Sequence, residues 1–541
     1  MPSLTIHSYT SLVLVALITA SSARSHVDRA VSSRERWTVG QIVQTSSGPV
    51  QGHAASNAGE VSEYLGIPYA KPPIGELRFQ PPIPFNGTQI VNGASFGFSC
   101  MGTRLLATES IDPDSVQTLG MTDVAINLLQ ELEPSKHISE DCLTLNVWTK
   151  PQAGESKKAV LVWIHGGGFI SGGSAVPWYN GQFIADQEDV VIVTINYRLT
   201  IFGFPGNPTS PPNLGLLDQR MAVEWIRRNI NGFGGDPDRI TLFGQSAGGI
   251  SVDYYSYAWT TDPIAHGFIS QSGTATSLVQ STKAEASTNW FNASAALGCG
   301  NSSSDHNQVF ECMQRKPAAD MLSVLPSIDF RKLSNIAYSP TVDDALVFST
   351  YRERKAADLP ILVGNTDFEA GLLRLFAPGV REDLWHVFNQ RTYVCPAGER
   401  ASYGMLTGTP TWRYRYFGEF PNLRLTTNPP SGAWHAAEIP ILFDTIPTTA
   451  IANTPEQVAI GKYMRGAWAA FAKDPANGLT TYEDGWPQYS PSDRTLVRIG
   501  FDNMTGTNLA VGTQYDGGCP LSEAAPNQTT GRTKALPTAT V

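Results

Sequence analysis

The sequence predicts an α/β fold: a mainly parallel, doubly wound central sheet with helices on both faces and long insertions. Three observations predict it. Continuous apolar runs recur at Ala159 to His165, Val190 to Asn196, Ile240 to Phe243 and Leu359 to Gly364, each bounded by glycine or polar turns. Strands covered on both faces read this way, whereas one-sided strands alternate. Helical patterns separate the runs, as in Leu217 to Asn229, whose apolar stripe passes through Met221, Val223, Trp225 and Ile226. No internal repeat and no linker marks a second folding unit, so the 541 residues read as one domain with long excursions.

A 41% hydrophobic fraction can fill a large core, and charged residues are only 16%. The net charge of −10 argues against nucleic acid or an anionic membrane as partner. Ser11 to Ala20 (SLVLVALITA), followed by Ser21-Ser22-Ala23, reads as an export signal over residues 1–23 and is too short to span a bilayer. Residues 24–38 form a polar leader, 39–519 the domain, and 520–541 a Ser/Thr/Pro-rich flexible tail without a lipid-anchor signal. The mature protein is therefore expected to be secreted, extracellular and without an integral membrane segment. Six cysteines, an even number, fit disulfides in an oxidising compartment, although their spacing leaves the pairing open. No CxxC or CxxxH cluster suggests zinc, so no metal is expected. Sequons at Asn86, Asn292, Asn301, Asn503 and Asn527 are candidate glycosylation sites.

The run Ile240 to Phe243 feeds directly into Gly244-Gln245-Ser246-Ala247-Gly248-Gly249, and Ala247 to Tyr257 can continue as a helix. A serine at a sharp strand-to-helix turn, flanked by glycines where a Cβ would strike the crossing chain, is the nucleophile elbow of the α/β-hydrolase fold. Gly93-Ala94-Ser95-Phe96-Gly97 fits the same pattern, but no apolar run precedes it, so Ser95 reads as a loop serine.

Serine needs a base within hydrogen-bond reach, itself oriented by an acid, and in this fold both follow the serine in the chain. Four histidines satisfy that order. His266 comes too soon after the serine, His306 sits in a polar stretch, and His386, in Leu384-Trp385-His386-Val387-Phe388, suits packing. His435, in a loop beyond Pro429-Pro430, remains as the base. For the acid, Glu369 follows the strand Pro360 to Gly364 at the carboxyl end, where active-site groups of parallel sheets collect. Asp343 and Asp344 read instead as capping residues of a turn before a strand. His165-Gly166-Gly167-Gly168-Phe169 closes the strand Ala159 to Ile164 with bare backbone N–H groups, and the Ala247 amide adds a donor beside Ser246; together they can face a developing oxyanion.

These residues resemble the type-B carboxylesterase/lipase family, which includes the cholinesterases. The likeness extends over most of the chain. It runs through Glu63 to Ala70 (EYLGIPYA), Ser139 to Val147 (SEDCLTLNV), HGGGF, Asn213 to Arg228, Asn231 to Asp236, GQSAGG, Gln271-Ser272-Gly273 and Trp486 to Tyr489. The resemblance implies a triad of Ser246, Glu369 and His435, an oxyanion hole from Gly167, Gly168 and Ala247, and Ser272 beside the acid. It also implies disulfides Cys100–Cys142, Cys299–Cys312 and Cys395–Cys519. Two departures stand out. Gln245 occupies the position where the family often carries Glu, a change that need not touch the chemistry. No Trp lies between Cys100 and Cys142, where cholinesterases hold a quaternary ammonium by cation–π attraction, so choline esters are not expected substrates. The loop between those cysteines is closer in length to the flap of secreted fungal lipases. Its amphipathic stretch Val116 to Leu132 is either a lid over an apolar site or a plain surface helix.

The expected activity is hydrolysis of small-molecule or lipid carboxylic esters through an acyl-enzyme, with no cofactor. An acyl transferase or lipase could use the same triad. A silent adhesion module like the neuroligins is disfavoured because those lose the serine that stands here as Ser246.

Overall fold

Apolar runs that cannot tolerate water on either side organise the molecule. The computed structural model describes residues 37–519 except 104–110, 112, 134–136, 328–335 and 378. The signal segment, most of the leader, the tail and Asn527 lie outside the described residues. Residues divide into two units, Met1–Thr38 and Val39–Val541; of the first only Trp37 and Thr38 are described.

The second unit is built on an eleven-stranded sheet. In chain order its strands are β1 (His53–Ala54), β2 (Ser62–Pro68), β3 (Thr144–Thr149), β4 (Lys158–Ile164), β5 (Val191–Ile195), β6 (Gly235–Gln245), β7 (Gly267–Gln271), β8 (Ile361–Thr366), β9 (Thr411–Tyr416), β10 (Arg494–Ile499) and β11 (Ala510–Val511). The spatial order is β11-β10-β9-β8-β7-β6-β4-β5-β3-β2-β1. From β5 to β10 every pairing is parallel, while β1, β2, β3 and β11 join antiparallel at the two edges. Every residue of β4, β5, β7 and β8 is buried, so both faces of the sheet centre are covered, in keeping with the unbroken apolar runs.

The covering helices include α1 (Leu214–Asn229), α2 (Ala247–Ala258) and α3 (Pro455–Lys473). The α1 helix starts three residues before the predicted Leu217, because Asn213 orders the preceding turn by bonding the Thr341 backbone and Asp343. At α3, Thr454 and Gln457 form a reciprocal capping box and Pro455 supplies the first helical residue.

Between Cys100 and Cys142 the sequence led us to expect one amphipathic stretch, Val116 to Leu132. Two short helices occur instead, Pro113–Thr118 and Ala125–Leu132. The break has a local cause: Gly120 takes φ +56°, outside the right-handed helical region, and Met121 bridges to Thr426. Asp343 caps its turn as expected, accepting from the amides of Ala345, Leu346 and Val347, and the next strand, β8, begins at Ile361. Ser95 lies exposed in a turn.

Disulfides join Cys100 to Cys142, Cys299 to Cys312 and Cys395 to Cys519. No described helix is long and apolar enough to cross a membrane. Asn86, Asn292 and Asn301 are exposed, whereas the partly exposed Asn503 holds the backbone of Glu419 with both amide atoms.

Charges inside the core are paired with one exception. Arg198 makes a two-pronged contact to Asp218 at 2.7 Å on each prong and donates a further bond to the Gln80 carbonyl. Glu438 is fully buried, and Gln271 Nε2 donates only weakly to its Oε1, at 3.3 Å. Its Oε2 has no partner among the described residues. Burial and the nearby Glu369 carboxylate push its pKa up to about 8.

Replacing Arg198 with Leu strands the Asp218 charge in the core and should cost about 3–5 kcal/mol, read as a fall in denaturation midpoint. For Glu438 the sign follows from proton release on unfolding. The folded carboxyl keeps its proton up to about pH 8, whereas an unfolded glutamate loses it near ~4.3. Stability is therefore fully present at low pH and is lost as pH rises towards 8. The neutral variant Glu438→Gln should flatten the fall in melting temperature between pH 5 and pH 8; parallel curves for the two proteins would contradict this account.

Candidate active site

Four carboxyl ends of parallel strands bring the candidate residues together, as the crevice rule for such sheets requires. Ser246 follows β6, Ser272 follows β7, Glu369 lies just beyond β8, and the glycine run Gly166 to Gly168 follows β4. His435 comes from the long loop after β9.

Ser246 adopts φ 58° and ψ −124°, a conformation that costs a non-glycine residue about 1–3 kcal/mol. It is held by both neighbours. Its amide donates to the Gln271 carbonyl at 2.9 Å, and its carbonyl accepts from Ile250 at 2.9 Å as α2 begins. The turn is tight enough that a Cβ on Gly248 would sit 1.9 Å from the Ile164 carbonyl oxygen. Gly167, at φ +107°, would drive a Cβ to 2.3 Å from the Ser171 carbonyl. Both positions therefore exclude every other residue.

Glu369 is fully buried, and three donors compensate its loss of water: Ser272 Oγ at 2.8 Å, the Thr366 amide at 2.8 Å and His435 Nδ1 at 2.6 Å. The proton on His435 Nδ1 thus faces the carboxylate, leaving Nε2 with a lone pair. The ring also packs on Tyr393, with centroids 5.0 Å apart. Behind the glycine run, buried His165 donates from Nδ1 to the Gly166 carbonyl at 2.8 Å and stacks on Tyr197. Burial pushes its pKa down to about 4, so this ring is neutral.

Ser246, His435, Gly167, Gly168 and Ala247 line one pocket of roughly 1060 Å³, counted with its open mouth. Its walls are mostly apolar, with Leu132 from the flap, Leu278, Ile336, Leu372 and Phe388. Among the described residues no cluster of His, Cys, Asp or Glu could hold a metal ion.

The other histidines lie elsewhere. His306 is exposed at the start of the helix His306–Arg315, and His266 is half-buried beside β7. His386, which the sequence suggested for packing, does pack edge-on against the Phe368 ring, with centroids 5.3 Å apart, but stands 64% exposed on the helix Glu382–Asn389 and faces Glu382 at 3.8 Å. That helix buries Trp385 and turns Leu384 and Val387 outward.

Two contacts and one buried carboxyl were not anticipated. The side chain of Gln245 places Nε2 3.1 Å from His435 Nε2. Asn389 Oδ1 accepts the Glu369 amide at 2.9 Å. Glu438 lies three residues beyond His435. Only Gln245 carried a signal, its place beside Ser246.

Known proteins resemble this chain along nearly all of its described length. The Carboxylesterase family model matches residues 39–382 and 374–513. Chlorogenic acid esterase from Aspergillus niger is 34% identical over 481 residues, covering 86% of this chain and 90% of that protein. Secreted lipase 5 from Gibberella zeae is 32% identical over 510 residues, covering 86% of this chain and 91% of its own. A cholinesterase from Mus musculus is 34% identical over 357 residues, covering 63% of this chain and 56% of its own. A pattern matched from the first strands of the sheet to the last, around a serine elbow and a histidine–carboxylate pair, leaves one assignment: this chain belongs to the carboxylesterase family, serine hydrolases of carboxylic esters with the α/β-hydrolase fold.

Proposed function

We propose that the protein is a secreted serine carboxylesterase in which Ser246 is the nucleophile, His435 the general base and Glu369 the acid that orients it. The observation that carries this reading is the 2.6 Å contact of His435 Nδ1 with Glu369 beside a pocket that also receives the strained Ser246. Ser246 Oγ attacks the ester carbonyl carbon while its proton passes to His435 Nε2. The negative charge on the carbonyl oxygen meets the backbone N–H groups of Gly167, Gly168 and Ala247. As the C–O bond to the alcohol breaks, His435 returns the proton to the leaving oxygen, and a water then repeats the sequence to release the acid. Glu369 keeps Nδ1 protonated throughout and stabilises the imidazolium, while Ser272 and the Thr366 amide hold the carboxylate in place.

Export is supported by the apolar segment Ser11 to Ala20, the three disulfides and the relative named as a secreted lipase. The candidate glycosylation sites fit the same compartment. A lipase reading has one observation of its own. Val116 and Ile126 are 47% and 46% exposed on the two helices between Cys100 and Cys142, a segment whose Leu132 lines the pocket.

Ser246→Ala should lower kcat on soluble aryl esters by about 10⁴-fold or more with little change in melting temperature, and Glu369→Gln by roughly 10³- to 10⁴-fold. Retained turnover in Ser246→Ala would remove the nucleophile assignment. Along a series of neutral aryl esters, each added methylene should raise kcat/KM by up to about fourfold until the apolar pocket is filled. A jump in rate above the solubility limit would favour the lipase; activity confined to short chains would discard it.

A further inference from the structure

The base of the proposed triad has a second polar neighbour besides its acid, and the chemistry of that contact is set by hydrogen count. With Nδ1–H directed to Glu369, His435 Nε2 offers only a lone pair. The atom 3.1 Å away is the Gln245 side-chain nitrogen, which only donates. The contact is therefore an N–H to N hydrogen bond that exists while the ring is neutral. Once Nε2 takes a proton, two donors face each other and the contact is lost.

Gln245 is built to hold this position. It is the last residue of β6, 4% exposed and in register with Gln271 of β7. Its Oε1 sits 3.1 Å from where a Cβ on Gly166 would stand, so the amide is wedged between the glycine run and the imidazole. The other ionisable groups around the ring lie on its remaining sides or further out. Glu369 faces Nδ1, Tyr393 packs on the ring, Glu438 is buried three residues beyond His435, and Glu133 and Tyr179 line the same pocket.

We propose that Gln245 is a positioning residue that holds His435 neutral in the resting enzyme by donating to the Nε2 lone pair, a bond that must give way when the Ser246 hydroxyl turns to that nitrogen. A hydrogen bond made only to the neutral state lowers the proton affinity of the base. It also makes the imidazolium short-lived, which favours return of the proton to the leaving alcohol. This role rests on His435 being the general base.

The test is the acid limb of kcat/KM for a soluble, neutral aryl acetate in the full-length protein. Gln245→Met and Gln245→Leu remove the donor at similar volume, and each should move the limb to higher pH by about half a unit. Gln245→Glu places an acceptor and a charge at Nε2 and should move it further, by about one unit or more. A limb that stays at the wild-type position in the Met and Leu variants overturns the proposal, even where the Glu variant shifts it. A titration of the His435 ring by nitrogen NMR, which needs no turnover, must follow the same order. Ser246→Ala separates the two levels of the argument. If it is inactive while the Met and Leu limbs coincide with wild type, only the role of Gln245 falls; if it still cleaves the ester, the triad itself falls.

Discussion

The turn at Ser246 is the constraint on which the rest of the site depends. A serine at φ 58° is intrinsically unfavourable, and it persists because the strand before it and the helix after it leave no alternative path. The β6 strand is hydrogen-bonded on both sides, to β4 and to β7, and α2 packs back on β6 and β7. Relaxing the serine would swing α2 into the sheet, because Gly248 already touches the Ile164 carbonyl as closely as a glycine can. The same closeness sets the spacing of the chemistry. Ile164 ends β4, and the glycine run begins two residues later, so the packing that strains Ser246 also brings Gly166 to Gly168 to the mouth of the same pocket.

Two buried carboxyls near this turn show how environment divides roles between identical side chains. Glu369 and Glu438 are both fully buried. Three donors converge on Glu369, whereas Gln271 donates only weakly to Glu438, which keeps an unsatisfied oxygen. Glu369 also raises the pKa of Glu438 by its own charge. Placing two negative charges this close inside a low-dielectric core is costly, and protonation of the poorly solvated one removes the conflict. The hydroxyls of Tyr414 and Tyr416, on β9, are likewise buried, and burial first and Glu438 second raise the pKa of both. A neutral glutamic acid is thus in keeping with its surroundings, while an ionised one is not.

What the sequence reveals follows from the range of the forces involved. The central strands are visible because burial on both faces forces an unbroken apolar run, and Ser246 is visible because a strained turn with close packing accepts few residues. Chain order leaves four histidines, local context narrows these to His435, and the end of β8 points to Glu369. The helix Glu382–Asn389 was harder to read. Its apolar cluster suggested burial throughout, yet a helix turns about 100° per residue, so Leu384 and Val387 beside the buried Trp385 point outward while His386 packs by one edge on Phe368. The flap was read as one helix because its periodicity continues through Gly120, and only the positive φ there breaks it. Gln245 could not be placed against His435 from the sequence, because their contact joins segments 190 residues apart and no local pattern records such a meeting.

His435 raises a different question, since a base on a long loop should be poorly positioned compared with one on a strand. The loop is not independent. The Phe368 amide donates to the Ala433 carbonyl at 3.1 Å, and the His435 amide donates to the Glu369 carbonyl at 3.3 Å. Two bonds in alternation tie the segment that carries His435 to the segment that carries Glu369, in the manner of a short ladder. Trp434 anchors the opposite side: its ring is buried and its Nε1 donates to the Leu423 carbonyl at 2.7 Å. The separation of His435 from Glu369 is therefore fixed by local backbone bonds, and the length of chain after β9 does not enter it. Insertions in that loop can reshape the pocket wall while the imidazole and carboxylate stay in register, which reconciles a fixed His435–Glu369 pair with the long excursions that surround it.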